Sequence, residues 1–464
     1  MDLKGKRVLV LGLGESGLSM AAWLASRGAR VSAADSRARP PGAAELSSLL
    51  PGVVLHLGGF PEESLSELDL LAISPGIALT EPIVARATAN GVPVVGDVEL
   101  FARALPSRAT SRPRIVAITG TNGKTTVTSM AGALCRAAGL DCEVAGNISP
   151  AVLQALSRRE AAGTPAEAWV LELSSFQLET TSSLDADAAA MLNLSQDHLD
   201  RHGSMGAYAA AKSRIFAGSG VQILNRDDPR SLAMAIPGRQ VILFGLEAPA
   251  RDQDYGLRSV GGKTWIARGV RALIPLAEFP LAGLHNATNA MAALALCSSI
   301  GAPLEPMLQR LRSFKGLPHR VEPVGEWRGV RFYDDSKGTN VGSTIAALAG
   351  LAGAGGKVVL IAGGEGKGQD FSTLADPVKK SARGVVLIGR DAAQIERALA
   401  PCGVPMQRAE GMEEAVAIAA DMAKQGDSVL LSPACASFDM FRNYGHRGEV
   451  FAAAVKGWID VRDR

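Results

Sequence analysis

The sequence predicts an α/β protein of about three domains, each built on a parallel sheet. Three observations predict this class. The chain has 464 residues, well beyond the ~150 that one hydrophobic core usually serves. Short β-branched runs alternate with helical stretches almost throughout. Each of three successive blocks carries a Gly-rich or Ser-rich loop directly after a strand, which is where open α/β sheets bind ligands.

Composition narrows the function classes. Hydrophobic residues make up 47% of the chain and charged residues 20%, the balance of an ordinary globular protein. Lys+Arg 48 against Asp+Glu 46 leaves a net charge of +2 with no block of like charge, so no nucleic acid or anionic membrane is expected as a partner. Five cysteines without C-x-x-C spacing fit reduced thiols. Lys4, Lys6 and Arg7 before "VLVLGLG" mimic the start of a signal peptide, but the apolar run is short and Glu15 follows it. No stretch approaches the ~20 apolar residues of a membrane span, so no membrane insertion and a cytoplasmic location are expected.

The first block offers strands "RVLVLG", "ARVSAAD", "VVLHL", "DLLAIS" and "VPVVG". Between the first strand and the next helix, Gly12, Gly14 and Gly17 have G-x-G-x-x-G spacing, and Asp35 ends the second apolar run. That is a dinucleotide fingerprint, and it leaves open whether the ligand is NAD or another diphosphate. "ALPSRATSRPR" (Ala104 to Arg114) reads as a linker.

In the second block, "IVAIT" (Ile115 to Thr119) runs straight into "GTNGKTT". Backbone N–H groups of such a turn converge on phosphates, Lys124 would neutralise them, and Thr125 would offer its hydroxyl to Mg²⁺. Ile118 stands where the strict G-x-x-x-x-G-K-[ST] pattern has Gly, so the match is to a shorter variant; the alternative is a Gly-rich turn with a surface lysine. Two phosphate-type loops suit an ATP-driven ligase of a nucleotide-linked substrate better than a hydride-transfer enzyme. Glu172 ends an apolar strand, where an acid needs a partner: Mg²⁺, or a nearby Lys or Arg. His198 and His202 have i, i+4 spacing without the glutamate or third ligand of a zinc site. They read as one His on a hard-metal site or as two held by loop hydrogen bonds. Tyr208, Lys212 and Ile215 share a helix face, where the lysine by itself reads as solvated. Asn286 and Asn289 suit a purine edge or ribose, or equally a helix cap. "KGLPHR" (Lys315 to Arg320) makes a hinge, and a third alternation follows with "VRFYDDS", "KVVLIAGG", "GVVLIG" and "SVLLSPA".

Taken in order, "GTNGKTT", "ELSSFQLE", "DHLDRHG", "YAAAKSRIF", "GLHNATNA" and "GLPHR" resemble the ATPase core of the Mur ligase family of peptidoglycan synthesis. With the first loop, the resemblance runs from Gly12 to Phe438. "ELSSFQLE", "YDDSKGTN" (Tyr333 to Asn340) and "LSPACASFDMF" look like its glutamate-adding branch; the diaminopimelate- and lysine-adding relatives lack "DDSK". Gly338 stands where the family pattern leads us to expect Ala, a departure expected to leave the chemistry alone.

The resemblance implies a Rossmann-like UDP-substrate domain over 1–107, a P-loop ATPase α/β domain over 108–316, and a Rossmann-like glutamate-binding α/β domain over 317–464. It implies UDP rather than NAD on the first loop. Gly14, Ser16 and Gly17 would face the pyrophosphate, Asp35 and Ser36 the uracil, and Ser74, Pro75 and Gly76 would complete the pocket. Asn147 would meet the muramoyl side, and Ser174 belongs to the same substrate. ATP would engage Gly120, Asn122, Gly123, Lys124, Thr125, Thr126, Asn286, Asn289, Arg320 reaching across from the C-terminal domain, and Asp335 at the ribose. Two Mg²⁺ sites would draw on Thr125, Glu172, His198 and a carbamylated Lys212; Lys124, Glu172, His198 and Lys212 would form the catalytic set. Lys337, Thr339, Ser432 and Phe438 would bind glutamate. The implied enzyme is a monomer that joins D-glutamate to UDP-N-acetylmuramoyl-L-alanine through an acyl phosphate. Its rivals are another ATP-dependent amide ligase, such as a folylpolyglutamate synthetase, and a non-catalytic nucleotide-binding protein. The presence of Lys124, His198 and Lys212 argues against the latter.

Overall fold

Runs such as Arg7–Leu11 and Val358–Gly363 are apolar at almost every position, as suits strands covered on both faces by crossover helices. The computed structural model of the chain describes all residues except 62–64, 107–111, 282, 352–355 and 464. The expected boundary between residues 107 and 108 lies outside the described residues.

Three sheets follow one another along the chain. The first has the order β3-β2-β1-β4-β5, all parallel, from β1 (Arg7–Leu11), β2 (Arg30–Asp35), β3 (Val54–Leu57), β4 (Leu70–Ile73) and β5 (Val94–Val95). The second contains β6 (Arg114–Thr119), β7 (Cys142–Gly146), β8 (Ala168–Glu172), β9 (Ala188–Met191), β10 (Val221–Asn225), β11 (Val241–Phe244), β12 (Tyr255–Val260), β13 (Lys263–Arg268) and β14 (Arg271–Pro275). Its order is β14-β13-β12-β11-β10-β9-β6-β8-β7. The third, β15-β16-β20-β17-β18-β19, uses β15 (Glu322–Trp327), β16 (Val330–Asp334), β17 (Val358–Gly363), β18 (Ala382–Ile388), β19 (Met406–Arg408) and β20 (Ser428–Leu431). In each sheet the strand order reverses beside a strand that ends in a motif loop: β1, β6 and β20. Crevices at such reversals are the ligand sites of open α/β sheets.

The simple alternation fails in two places. β12, β13 and β14 form an antiparallel meander, and β15 pairs antiparallel with β16. Gly261–Gly262 joins β12 to β13 with both φ values positive (58° and 74°), and Arg328–Gly329 joins β15 to β16 with φ 47° and 79°. Two-residue turns of that hand favour hairpins.

The first two sheets share one apolar cluster, running from Leu3 and Val8 through Phe101 to Trp169, Leu171 and Leu224. Phe101 meets Trp169 edge-on at 4.9 Å. Glu99 is buried in this seam; burial pushes its carboxyl up, but the N–H groups of Ser182 (2.7 Å) and Ser183 (2.9 Å) outweigh that and hold it at about 2. Among the described residues, no helix is long and apolar enough to cross a membrane.

The first glycine loop is closed by contact. A Cβ on Gly17 would lie 1.7 Å from the Gly12 carbonyl oxygen and 2.7 Å from Ser74 Oγ, whereas one on Gly14 meets nothing within 4 Å. Gly17→Ala should therefore cost about 2 kcal/mol or more of stability, seen as a lower urea midpoint. Gly14→Ala should stay within about 0.5 kcal/mol of the parent.

Candidate active site

The loop after β1 is built from its own backbone. Ser74 Oγ donates to the Gly12 carbonyl (2.9 Å), and Leu13 N–H donates to Asp35 Oδ2 (2.7 Å). Asp35, expected on the uracil, is buried. Its carboxylate is held at about 2, chiefly by the Arg37 guanidinium at 2.7–2.9 Å. Ser36 is exposed, and Gly14 and Ser16 are half-buried at the start of the Glu15–Ser26 helix. Pro75 and Gly76 follow Ser74; the Gly76 and Ile77 carbonyls accept from Arg201 (3.4 and 2.9 Å), tying this loop to the segment after His198. Ser174 caps the Ser175–Glu179 helix with Gln177 in a reciprocal box, and Gln177 donates to the buried Asp97 (3.1 Å).

The loop after β6 is fixed from outside. Asn193 accepts from Asn122 N–H (2.8 Å) and donates to its carbonyl (3.0 Å), while Thr121 N–H donates to the Asn193 carbonyl (2.9 Å). Gly123 is left-handed (φ 82°) at the start of the Lys124–Ala137 helix, and a Cβ there would sit 2.7 Å from Asn289 Oδ1. Lys124 Nζ donates to the carbonyls of Gly120 (2.8 Å) and Thr121 (2.7 Å), and burial lowers its pKa.

Beside this loop lies a set of groups suited to a hard cation. Glu172, buried at the end of β8, has one oxygen bonded by Asn147 Nδ2 (3.0 Å) and the other, Oε2, without a partner. Lys212 is buried on the Met205–Ser213 helix; its Nζ donates to Gly120 O (2.8 Å) and Thr119 Oγ1 (3.2 Å). Burial, reinforced by Lys124, drives its pKa well down. His198 has φ 54°, and burial lowers its pKa against the pull of Asp197. His202 turns away, with Nε2 3.0 Å from Ser175 Oγ and Nδ1 3.4 Å from Glu179. The i, i+4 pair thus separates into one ring on the cavity and one held by its own neighbours.

The third sheet supplies the opposite wall. Arg320 lies between two residues of positive φ, His319 and Val321, and burial lowers its pKa. Asp335 is buried, which pushes its carboxyl up to about 7. Lys337 Nζ sits 3.7 Å above the Tyr444 ring. Ser432, expected on glutamate, is fully buried and stands behind the wall: its hydroxyl donates to Asp335 Oδ2 (2.7 Å). Phe438 is 69% exposed and is not part of the cavity lining. Gly338 packs closely here: a Cβ there would lie 2.6 Å from Asp335 Oδ2 and 2.7 Å from Ser432 Oγ.

A cavity of about 440 Å³ joins these parts. Its wall holds Asn122, Gly123, Lys124, Thr125, Thr126, Asn147, Glu172, His198, Asn286, Asn289, Arg320, Asp335, Lys337 and Thr339 together. Lys212 and Gly120 lie just behind, through their bond to each other. Sequence reasoning passed over Asn193, Asp197, His285 and Asn340, which also line it. Asp197 was within reach, since it opens the quoted "DHLDRHG", and Asn193 stands four residues before it.

Family models match along the chain: the Mur ligase MurD-like N-terminal domain over residues 6–96, the Mur ligase middle domain over 118–297, and the Mur ligase glutamate ligase domain over 319–435. The chain belongs to the Mur ligase family. Curated relatives named UDP-N-acetylmuramoylalanine–D-glutamate ligase agree with this membership over nearly their whole length. The one from Nitrosospira multiformis is 57% identical over 464 residues, covering 100% of this chain and 98% of its own. The one from Thiobacillus denitrificans is 56% identical, covering 98% and 97%. A solved MurF from Acinetobacter baumannii has the same fold at 18% identity, with a TM-score of 0.61 over 97% of this chain and 93% of its own. The MurF ligase of Thermotoga maritima in complex with ADP aligns with a TM-score of 0.60 at 18% identity, over 99% and 96%.

The raised pKa of Asp335 has a consequence for this Mur ligase. A carboxyl that titrates near 7 when folded, against 3.8 ordinarily, contributes stability that is complete below pH 4 and lost as pH rises toward 7. Asp335→Asn should match the parent near pH 4, exceed it increasingly up to about pH 7 at no more than about 1.4 kcal/mol per pH unit, and hold a constant margin above that. Urea midpoints across that range check it; parallel curves would disconnect the Asp335 proton from folding.

Proposed function

We propose that the chain joins D-glutamate to UDP-N-acetylmuramoyl-L-alanine at the expense of ATP, making a peptidoglycan precursor in the cytoplasm. The observation that carries this reading is the single cavity in which a phosphate loop, a half-satisfied buried carboxylate and the cations of the third sheet face one another. We read the working unit as a monomer.

A carboxylate acylates poorly because its oxygen is a poor leaving group. The L-alanyl carboxylate therefore attacks the γ-phosphorus of ATP, releasing ADP and forming an acyl phosphate. The amine of D-glutamate then adds to the acyl carbon, loses a proton, and the tetrahedral intermediate expels phosphate. Lys124 and the loop amides of Gly120, Asn122, Gly123, Thr125 and Thr126 hold the ATP phosphates. Asn286, Asn289 and Arg320 hold the nucleotide, and Asp335 takes the ribose hydroxyls. Lys337 and Thr339 meet the glutamate carboxylates. The first loop, with Gly14, Ser16, Gly17, Ser36, Pro75 and Gly76, cradles the UDP, and Asn147 and Ser174 lie along its path to the phosphate loop.

Two Mg²⁺ ions fit the donor set. Glu172 Oε2 is buried and unpartnered, as a ligand oxygen would be, and His198 is kept neutral. Thr125, Glu172, His198 and a carbamylated Lys212 would hold them, and when bound they neutralise charge on the phosphoryl group. Lys212 is primed for that modification. Its amine, once it has given up its ammonium proton, adds to CO₂, forming an N–C bond and releasing a second proton, so the buried cation becomes an anion.

Phosphate release with ATP, Mg²⁺ and the UDP substrate should occur with D-glutamate and not with L-glutamate or meso-diaminopimelate. Release with another amino acid would move the specificity, and release with none would overturn the ligase reading. Lys212→Ala should lower kcat about 10³-fold. ¹³C-bicarbonate should give a carbamate NMR signal that this variant loses.

A further inference from the structure

The "YDDSKGTN" stretch ends in Asn340, a residue that neither nucleotide nor glutamate has so far required. It is buried between two units of the fold. Its Nδ2 donates to Asn122 Oδ1 (2.9 Å), and Asn122 Nδ2 donates back to Asn340 Oδ1 (3.2 Å). The orientation of this amide is set independently. Ser343 N–H donates to Asn340 Oδ1 (2.9 Å), capping the Val341–Leu351 helix, while Nδ2 also approaches Asp197 Oδ2 (3.4 Å). Asn122 is equally fixed, because Asn193 grips its backbone on both sides. Its side chain bonds to Asn340 alone among the described contacts. Gly342 permits the approach: a Cβ there would lie 3.0 Å from Ser195 Oγ and 3.1 Å from Asn122 Nδ2.

We propose that Asn340 is a positioning residue that registers the third unit against the phosphate loop. The proposal rests on the ligase reading above. Asp335, Lys337 and Thr339 lie within five residues of Asn340 on one loop, so the clasp with Asn122 places the ribose and glutamate groups relative to the phosphates in a single act. Without it, glutamate's amine is misplaced over the acyl phosphate. Water then attacks the acyl carbon, phosphate leaves, and the original carboxylate is regenerated without an amide.

Asn340→Ser separates this role from helix capping, since serine keeps a capping oxygen but cannot exchange two bonds with Asn122. The expected result is a thermal midpoint within about 2 °C of the parent, an unchanged KM for the UDP substrate, and a kcat/KM for D-glutamate lowered about tenfold. Phosphate released per amide formed should rise above the parent ratio. Asn122→Ser should do the same, and the double variant should be no worse than the weaker single. Parent values for glutamate and for the phosphate-to-amide ratio in Asn340→Ser would overturn the proposal. So would losses that multiply in the double variant, or an equal rise in every KM with a large fall in midpoint. Absence of amide from the parent itself would sink the ligase reading alone. ADP affinities of the same four proteins then decide the clasp without turnover: a non-additive loss supports it, and multiplying or absent losses overturn it.

Discussion

The Gly120 carbonyl oxygen accepts from two lysines at once, Lys124 and Lys212, each at 2.8 Å. Two ammonium groups on one acceptor repel each other in a site where burial already disfavours both charges. The surrounding architecture answers that conflict. Glu172 and Asp197 supply the nearest negative charge, and β6 and β8 run side by side so that Glu172 reaches the loop. What remains is a cluster short of anions on one side and holding a bare carboxylate oxygen on the other. Loss of the Lys212 proton, which its burial already favours, relieves part of that excess, and an anion entering the loop would relieve the rest.

Topology explains why these groups converge. Each sheet reverses strand order beside β1, β6 or β20, and the loops at those reversals carry the residues that matter. The units are joined differently, however. The first two share an apolar cluster in which Phe101 packs on Trp169, whereas the phosphate loop meets the third through the amides of Asn122 and Asn340. An apolar seam loses burial wherever it opens. A pair of amides can exchange its bonds for water at small net cost.

Much of this was legible in the sequence, for identifiable reasons. "GTNGKTT" is a local code, since the turn and helix start are set by residues adjacent in the chain. Glu172 was visible because an acid at the end of an apolar strand has few uses. Lys212 was not: "YAAAKSRIF" gives a helix, but only tertiary packing buries that lysine over the loop. The partners of Asp35 and Ser432 were not legible either, because the Arg37 guanidinium and the Asp335 carboxylate reach them only in the folded chain. The hairpin turns at Gly261–Gly262 and Arg328–Gly329 were readable signals that the expected α/β alternation hid.

The joint between the first two units also works as a gauge. Glu15, on the first turn of its helix, accepts from Ser149 Oγ (2.9 Å) and Ala151 N–H (3.1 Å) in the second unit. With the apolar seam beneath it, this fixes the span between the two glycine loops. A ligand anchored on the first loop is therefore measured against the second. One whose reactive end falls short gains its grip but never reaches the phosphates, so reach as well as chemistry selects the molecule that reacts.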